Sequence, residues 1–109
     1  MVKYRMSPNV AVRGSDVAAA VEFYSGVLGF PVRGTEPMDV DADPLTLFLI
    51  GDDEVQGPVL ELFVDDLDAA RAELVAKGCE VIRWRGRGQD CYLRDPFGVT
   101  FNLWEDPVP

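Results

Sequence analysis

Three residue pairs in the second half of this 109-residue chain set a polar group beside a large ring: Glu61 with Phe63, Asp90 with Tyr92, and Asn102 with Trp104. Each pair is two residues apart, and residues at that spacing share one face of a β-strand. A carboxylate or carboxamide next to an aromatic surface suits a flat organic ligand, which it can both stack on and hydrogen-bond; a cationic ligand suits it especially. Glu61 or Asp90 could instead act as the acid–base group of an isomerase, a lyase or a cyclase.

The chain contains no histidine. A histidine base, a Ser-His-Asp triad and a Cys-His pair are therefore excluded, and with them most zinc and non-haem iron sites. Cys79 and Cys91 form no metal or redox motif; both fall in strand-like runs and read as small buried hydrophobes, with no disulfide expected. Ten Lys and Arg against 19 Asp and Glu give a formal charge of −9. That balance disfavours nucleic acid, whose phosphates demand basic contacts. It would draw a cationic ligand, or simply aid solubility. Arg85-Gly86-Arg87-Gly88 lacks the spacing and lysine of a phosphate loop and reads as a hairpin turn. Arg13, Arg83, Arg85 and Arg94 are scattered and read as solvated. The N-terminus has no secretory signal core, and no apolar run approaches the roughly 20 residues of a membrane helix. A cytoplasmic protein is the default expectation.

The elements that must position these groups follow from periodicity. Residues 9–13 (NVAVR) read as a strand. Ser15 or Asp16 caps a helix over DVAAAVEFYSGVLG, with Val17, Ala20, Val21, Tyr24 and Leu28 on one face and Gly29 as the stop. Phe30–Arg33 reads as a strand. Residues 34–44, rich in Pro, Asp and Gly, read as a loop with at most a short strand, from which Met38 could close over a ligand. Residues 45–50 (LTLFLI) and 59–64 (VLELFV) are strands. Asp65 or Asp66 caps the second helix, with Leu67, Ala70 and Leu74 buried, and Gly78 stops it. CEVIRW, DCYLR and VTFNLW are three further strands, separated by RGRGQ and DPFG turns.

The halves repeat. NVAVRGSDVAAAVEFY lies over VLELFVDDLDAARAEL with an offset of 50, and LTLFLIGD over VTFNLWED with an offset of 54. Each half is β-α-β-β-β, so the expected architecture is one α+β domain over residues 1–109, with modules at about 7–54 and 58–106. A ferredoxin-like domain would need one strand fewer per half.

SDVAAAVEFYSGVLGFPV, FVDDLDAARAELVAKGCEV and LRDPFGVTFNLWE, in that order and spacing, resemble the glyoxalase/bleomycin-resistance/dioxygenase proteins, the vicinal oxygen chelate superfamily. The resemblance covers nearly the whole chain. It implies a curved, cup-like mixed sheet with helices on its convex face, a ligand in the cup and a homodimer. Members with a metal take ligands from the first and last strands of the modules. By register those positions are Asn9, Phe48, Val59 and Asn102. Phenyl and isopropyl groups cannot coordinate a metal cation, and two neutral amides are poor ligands for zinc, iron or manganese, with Glu61 adding at most one oxygen. The resemblance therefore points to the metal-free branch, typified by drug-binding resistance proteins, with no cofactor.

Alternation places Glu61, Phe63, Asp90, Tyr92, Asn102 and Trp104 towards the cup, with Ile82 and Trp84 beside them and Phe48 and Ile50 from the first half. The expected function is metal-independent binding and sequestration of an antibiotic-like aromatic molecule. The rivals are a metal-free isomerase, lyase or cyclase, and an interaction module whose cup is filled by its own side chains.

Overall fold

The computed structural model describes residues 1–35 and 37–109; Glu36, within the segment expected as a loop, lies outside the described residues. The elements run β1 (Tyr4–Gly14), α1 (Val17–Val21) continuing into a π-helical turn (Glu22–Val27), β2 (Val32–Arg33), β3 (Met38–Ala42), β4 (Leu45–Gly51), β5 (Gly57–Val64), α2 (Leu67–Ala76), β6 (Glu80–Trp84), β7 (Cys91–Arg94) and β8 (Thr100–Glu105). This is the expected α+β order, β-α-β-β-β twice over. The residues group into two compact units. The first is Pro8–Val59; the second is Met1–Ser7 together with Leu60–Pro109.

In the first unit the strand order is β2-β3-β4-β1. β1 runs parallel to β4, with Val10 opposite Leu47 and Val12 opposite Leu49. β3 is antiparallel to β4, with Val40 opposite Leu47. Val10, Val40 and Leu49 are buried and form one apolar face of this half-sheet. Asp16 caps α1 by accepting the Ala19 N–H at 2.9 Å, and Gly29 ends the segment at φ +76°. The helix itself departs from its regular pattern. The Leu28 N–H donates to the Phe23 carbonyl, five residues back, and this wider turn rotates the following residues off the stripe. Leu28, expected on the buried face, is 45% exposed.

In the second unit the order is β5-β8-β7-β6. Its core joins Val64, Leu67, Ala70, Cys91, Leu93 and Leu103. α2 is regular: Asp66 accepts the Ala69 N–H at 3.0 Å, and Gly78 follows the helix at φ +106°. The Tyr4 hydroxyl donates to Glu73 on α2 at 2.8 Å. Burial, helped by that bond to a carboxylate, pushes the Tyr4 pKa up to about 12. Among the described residues no helix is long and apolar enough to cross a membrane.

The repeat reappears in the hydrogen bonds. The Asp52 N–H donates to the Gly14 carbonyl at 2.9 Å, and the Asp106 N–H donates to the Val64 carbonyl at 2.9 Å. The two pairs are related by the sequence offsets of 54 and 50. The cap bonds of Asp16 and Asp66 repeat with the offset of 50.

Candidate functional site

The alternation of β5 fixes which side chains can meet a ligand. Leu62 and Val64 pack into the core of the second unit, so Glu61 and Phe63 point to the opposite face. On β8, Leu103 is buried in the core, which sends Asn102 and Trp104 to that same face. The strand owes its position to the preceding turn. The Asp95 carboxylate accepts the N–H groups of Phe97 and Val99, each at 2.9 Å, and the Asp95 N–H donates to the Val99 carbonyl. On β7, Cys91 and Leu93 belong to the core, leaving Tyr92 opposite Asn102.

β6 carries a bulge between Val81 and Arg83. Val81 stands opposite Leu93, but Arg83 stands opposite Tyr92 and Trp84 opposite Cys91. One extra residue therefore reverses the facing of everything after it. This corrects the expectation for Trp84: it packs against the core beside Cys91, with the Arg71 guanidinium 4.5 Å from its ring centroid. Ile82 sits at the irregularity itself. Arg83 takes the place assigned to Trp84. Its sequence signal was two bulky apolar residues, Val81 and Trp84, three apart on a strand that must pack both inward.

The face thus formed runs Asn102, Tyr92, Arg83 across three paired strands. The Arg83 guanidinium lies 5.6 Å from the Tyr92 ring centroid and 3.2 Å from the Asp90 carboxylate, with 11% of the Arg83 side chain exposed. Arg83 is not the solvated charge it was expected to be. Arg85 approaches the same carboxylate oxygen at 3.9 Å. Tyr92 is almost fully buried, whereas Trp104 is 39% exposed. The Asn102 carboxamide oxygen accepts the Cys91 N–H at 2.9 Å, extending the β7–β8 ladder; its NH₂ group is the donating end. Arg5, unremarked in the sequence, lies 4.4 Å from the Phe63 ring centroid and pairs with Asp106 at 3.1 Å.

Cys91 behaves as expected: it is buried, and its thiol donates to the Gly86 carbonyl at 3.1 Å. Both cysteines are free, and burial pushes both thiols up. The hairpin reading of residues 85–88 also holds, with the Gln89 N–H donating to Gly86 and the Arg85 N–H to Asp90.

In the first unit, Asn9, Phe48 and Ile50 share the face opposite Val10 and Leu49, since Asn9 pairs with Thr46, Phe48 with Ala11 and Ile50 with Arg13. Met38 does not join them. It lies in β3 opposite Leu49, on the apolar face, rather than in a loop. Met38-Asp39-Val40-Asp41-Ala42 alternates apolar and acidic residues, a strand pattern that the local Pro and Asp content obscured. Arg13, expected to be solvated, pairs with Asp52 at 3.4 Å, with only 11% of its side chain exposed.

Of the four register positions, three offer a poor ligand set for a metal. Val59 is a buried alkyl group, Phe48 offers a ring, and the Asn102 oxygen already accepts a backbone N–H. Among the described residues no cluster of three or more His, Cys, Asp or Glu side chains is placed to hold an ion. A hollow of about 430 Å³ opens beside α2, lined by Asp68, Arg71, Ala72, Val75 and Val81. It lies on the helix side, with Asp68 and Arg71 as its polar lining; the candidate site is the opposite face of the strands, which carries Asn102 and Trp104.

Comparison with known proteins follows the same lines. A family model described as a glyoxalase-like domain matches residues 9–104. No curated protein sequence matches the chain. Among solved structures, a glyoxalase/bleomycin resistance protein/dioxygenase superfamily member from Vibrio splendidus superposes with a TM-score of 0.61 at 17% identity, covering 97% of this chain and all of that one. An extradiol ring-cleaving dioxygenase from B. fuscum gives 0.60 at 19% identity, covering 95% of this chain and 33% of that chain. Methylmalonyl-CoA epimerase from Mycobacterium tuberculosis gives 0.51 at 22% identity, covering 95% and 88%. These likenesses establish a shared fold.

Proposed function

Because the chain belongs to the glyoxalase-like domain family, we propose that it binds and sequesters a small, planar, partly aromatic molecule of antibiotic-like kind, without a metal. One observation carries this reading: Asn102 and Trp104 share one face of β8, where a carboxamide stands beside a ring that is 39% exposed. Glu61 and Phe63 extend that face along β5. Rings supply the contact area, and the amide and carboxylates supply orientation. The reading includes a homodimer in the cytoplasm, with the oligomeric state checked by sedimentation.

The test is isothermal titration of the intact protein with a panel of aromatic antibiotics of both charge signs. The expected result is a Kd in the micromolar range or tighter for at least one compound, weakened about tenfold or more by Trp104→Ala, since a lost aromatic contact is worth about 1–3 kcal/mol. A panel with no binder sinks the proposal. A bound ligand that is chemically altered, with the change abolished in Glu61→Gln, would move the protein to the isomerase, lyase or cyclase class.

A further inference from the structure

We infer that the hollow beside α2 is a second ligand site and takes a free α-amino acid with a large apolar side chain. This site lies on the helix side of the second unit, apart from the strand face on which the binding reading above rests. Asp68, Arg71, Ala72, Val75 and Val81 border about 430 Å³ of space, within the usual range for small-ligand pockets.

Asp68, Arg71, Ala72 and Val75 recur at i, i+3, i+4 and i+7, so they form one stripe of α2. The two charged residues come first along that stripe and the apolar ones follow, over about 10 Å of helix. The bulge in β6 supplies the other wall, because it sends both Val81 and Trp84 to the core side of that strand. Val81 adds to the apolar lining, and Trp84 holds the Arg71 guanidinium 4.5 Å from its ring centroid. That contact covers one face of the guanidinium and leaves its edge donors for a carboxylate. The start of α2 does not use Asp68: Asp66 accepts the Ala69 N–H and Glu105 accepts the Leu67 N–H. Among the described residues neither Asp68 nor Arg71 has an ion pair. A simple anion would meet Asp68 and a simple cation would meet Arg71, so the zwitterion of an amino acid is the charge pattern that suits both. Val75 is 44% exposed, and an apolar side chain laid over it, Ala72 and Val81 would withdraw that surface from water.

The experiment is NMR titration of the isotope-labelled whole protein at about pH 6.5, where an α-ammonium group is charged, with L-leucine, N-acetyl-L-leucine and L-leucinamide. L-Leucine should bind in the millimolar range or tighter and shift the backbone amides of residues 68–75 and 81. Acetylation removes the ammonium and amidation removes the carboxylate, and each should weaken binding about threefold to fivefold, the worth of one exposed charge contact. Arg71→Gln should bring leucine down to the level of leucinamide and leave leucinamide itself unchanged. Asp68→Asn should bring leucine down to the level of N-acetyl-leucine and leave that probe unchanged. A merely structural role would weaken all three probes in both variants, and that result overturns the inference. If Arg71→Gln does not fold, Asp68→Asn, at an exposed position, carries the same comparison. Leucine that shifts no amide of α2 or β6 also overturns it, as do blocked forms that bind as tightly as leucine. None of these outcomes bears on the Trp104 face, whose own titration is decided separately.

Discussion

Asp52 and Asp106 occupy equivalent places in the repeat, and their backbone N–H groups make equivalent hydrogen bonds, yet their side chains live in different surroundings. Asp52 is 8% exposed and faces Arg13, itself 11% exposed; its other oxygen accepts the N–H groups of Glu54 and Val55. Asp106 pairs with Arg5 in the open, with exposures of 44% and 46%. The helices diverge too. α2 buries Leu67 and Ala70, whereas α1 and its π-helical turn bury no residue. The two copies keep the backbone and its caps but hold their side chains by different means. A shared ladder does not oblige a shared core.

The sharpest way to break this comparison is to remove the arginine that faces each aspartate. Arg13→Met should destabilise the protein by about 3 kcal/mol, because it removes a cationic partner from a carboxylate withdrawn from water. Arg5→Met should cost under about 1 kcal/mol, as for other exposed pairs. Urea unfolding at neutral pH measures both, and equal costs would show that the two aspartates are alike after all.

A second contrast uses the first helical residues, Leu67 and Val17, related by the offset of 50. Leu67 is 5% exposed and part of the core. Leu67→Ala should therefore cost about 2–3 kcal/mol through lost burial and the cavity left behind. Half-buried Val17 should cost about 1 kcal/mol on truncation to Ala. Thermal unfolding followed by circular dichroism ranks the two, and a larger loss at Val17 would reverse the assignment of the better-packed helix.

The smallest contrast lies at the stops. Gly29 and Gly78 both hold positive φ, but a Cβ at Gly29 would meet nothing within 4 Å, while one at Gly78 would lie 3.1 Å from Pro96 Cγ. Alanine at either position costs about 1 kcal/mol for the left-handed backbone. The stiff proline ring should make Gly78→Ala the costlier by about 0.5–1 kcal/mol, and paired urea midpoints would show whether it is.

The sequence made the element order, the Asp caps and the glycine stops legible because each depends on neighbours a few residues away. The face shared by Glu61, Phe63, Asn102 and Trp104 followed from strict alternation. Trp84 and Arg83 exchanged places because a single-residue bulge resets alternation, and only pairing with β7 reveals it. Met38 was misplaced because Pro and Asp content outweighed a five-residue alternating pattern. The buried Arg13–Asp52 pair could not be read at all, since its members are 39 positions apart and meet only through the parallel pairing of β1 with β4.

The bulge in β6 has an effect beyond the site. β6 is the last strand in the order of the second unit, so its outer row of amides faces no partner within that half-sheet. A straight edge of this kind would template growth by addition of another chain's strand. With only five residues and a break in the middle, β6 cannot offer the even spacing that such growth needs. The same extra residue that turns Arg83 towards Tyr92 therefore also guards the protein against strand-by-strand aggregation.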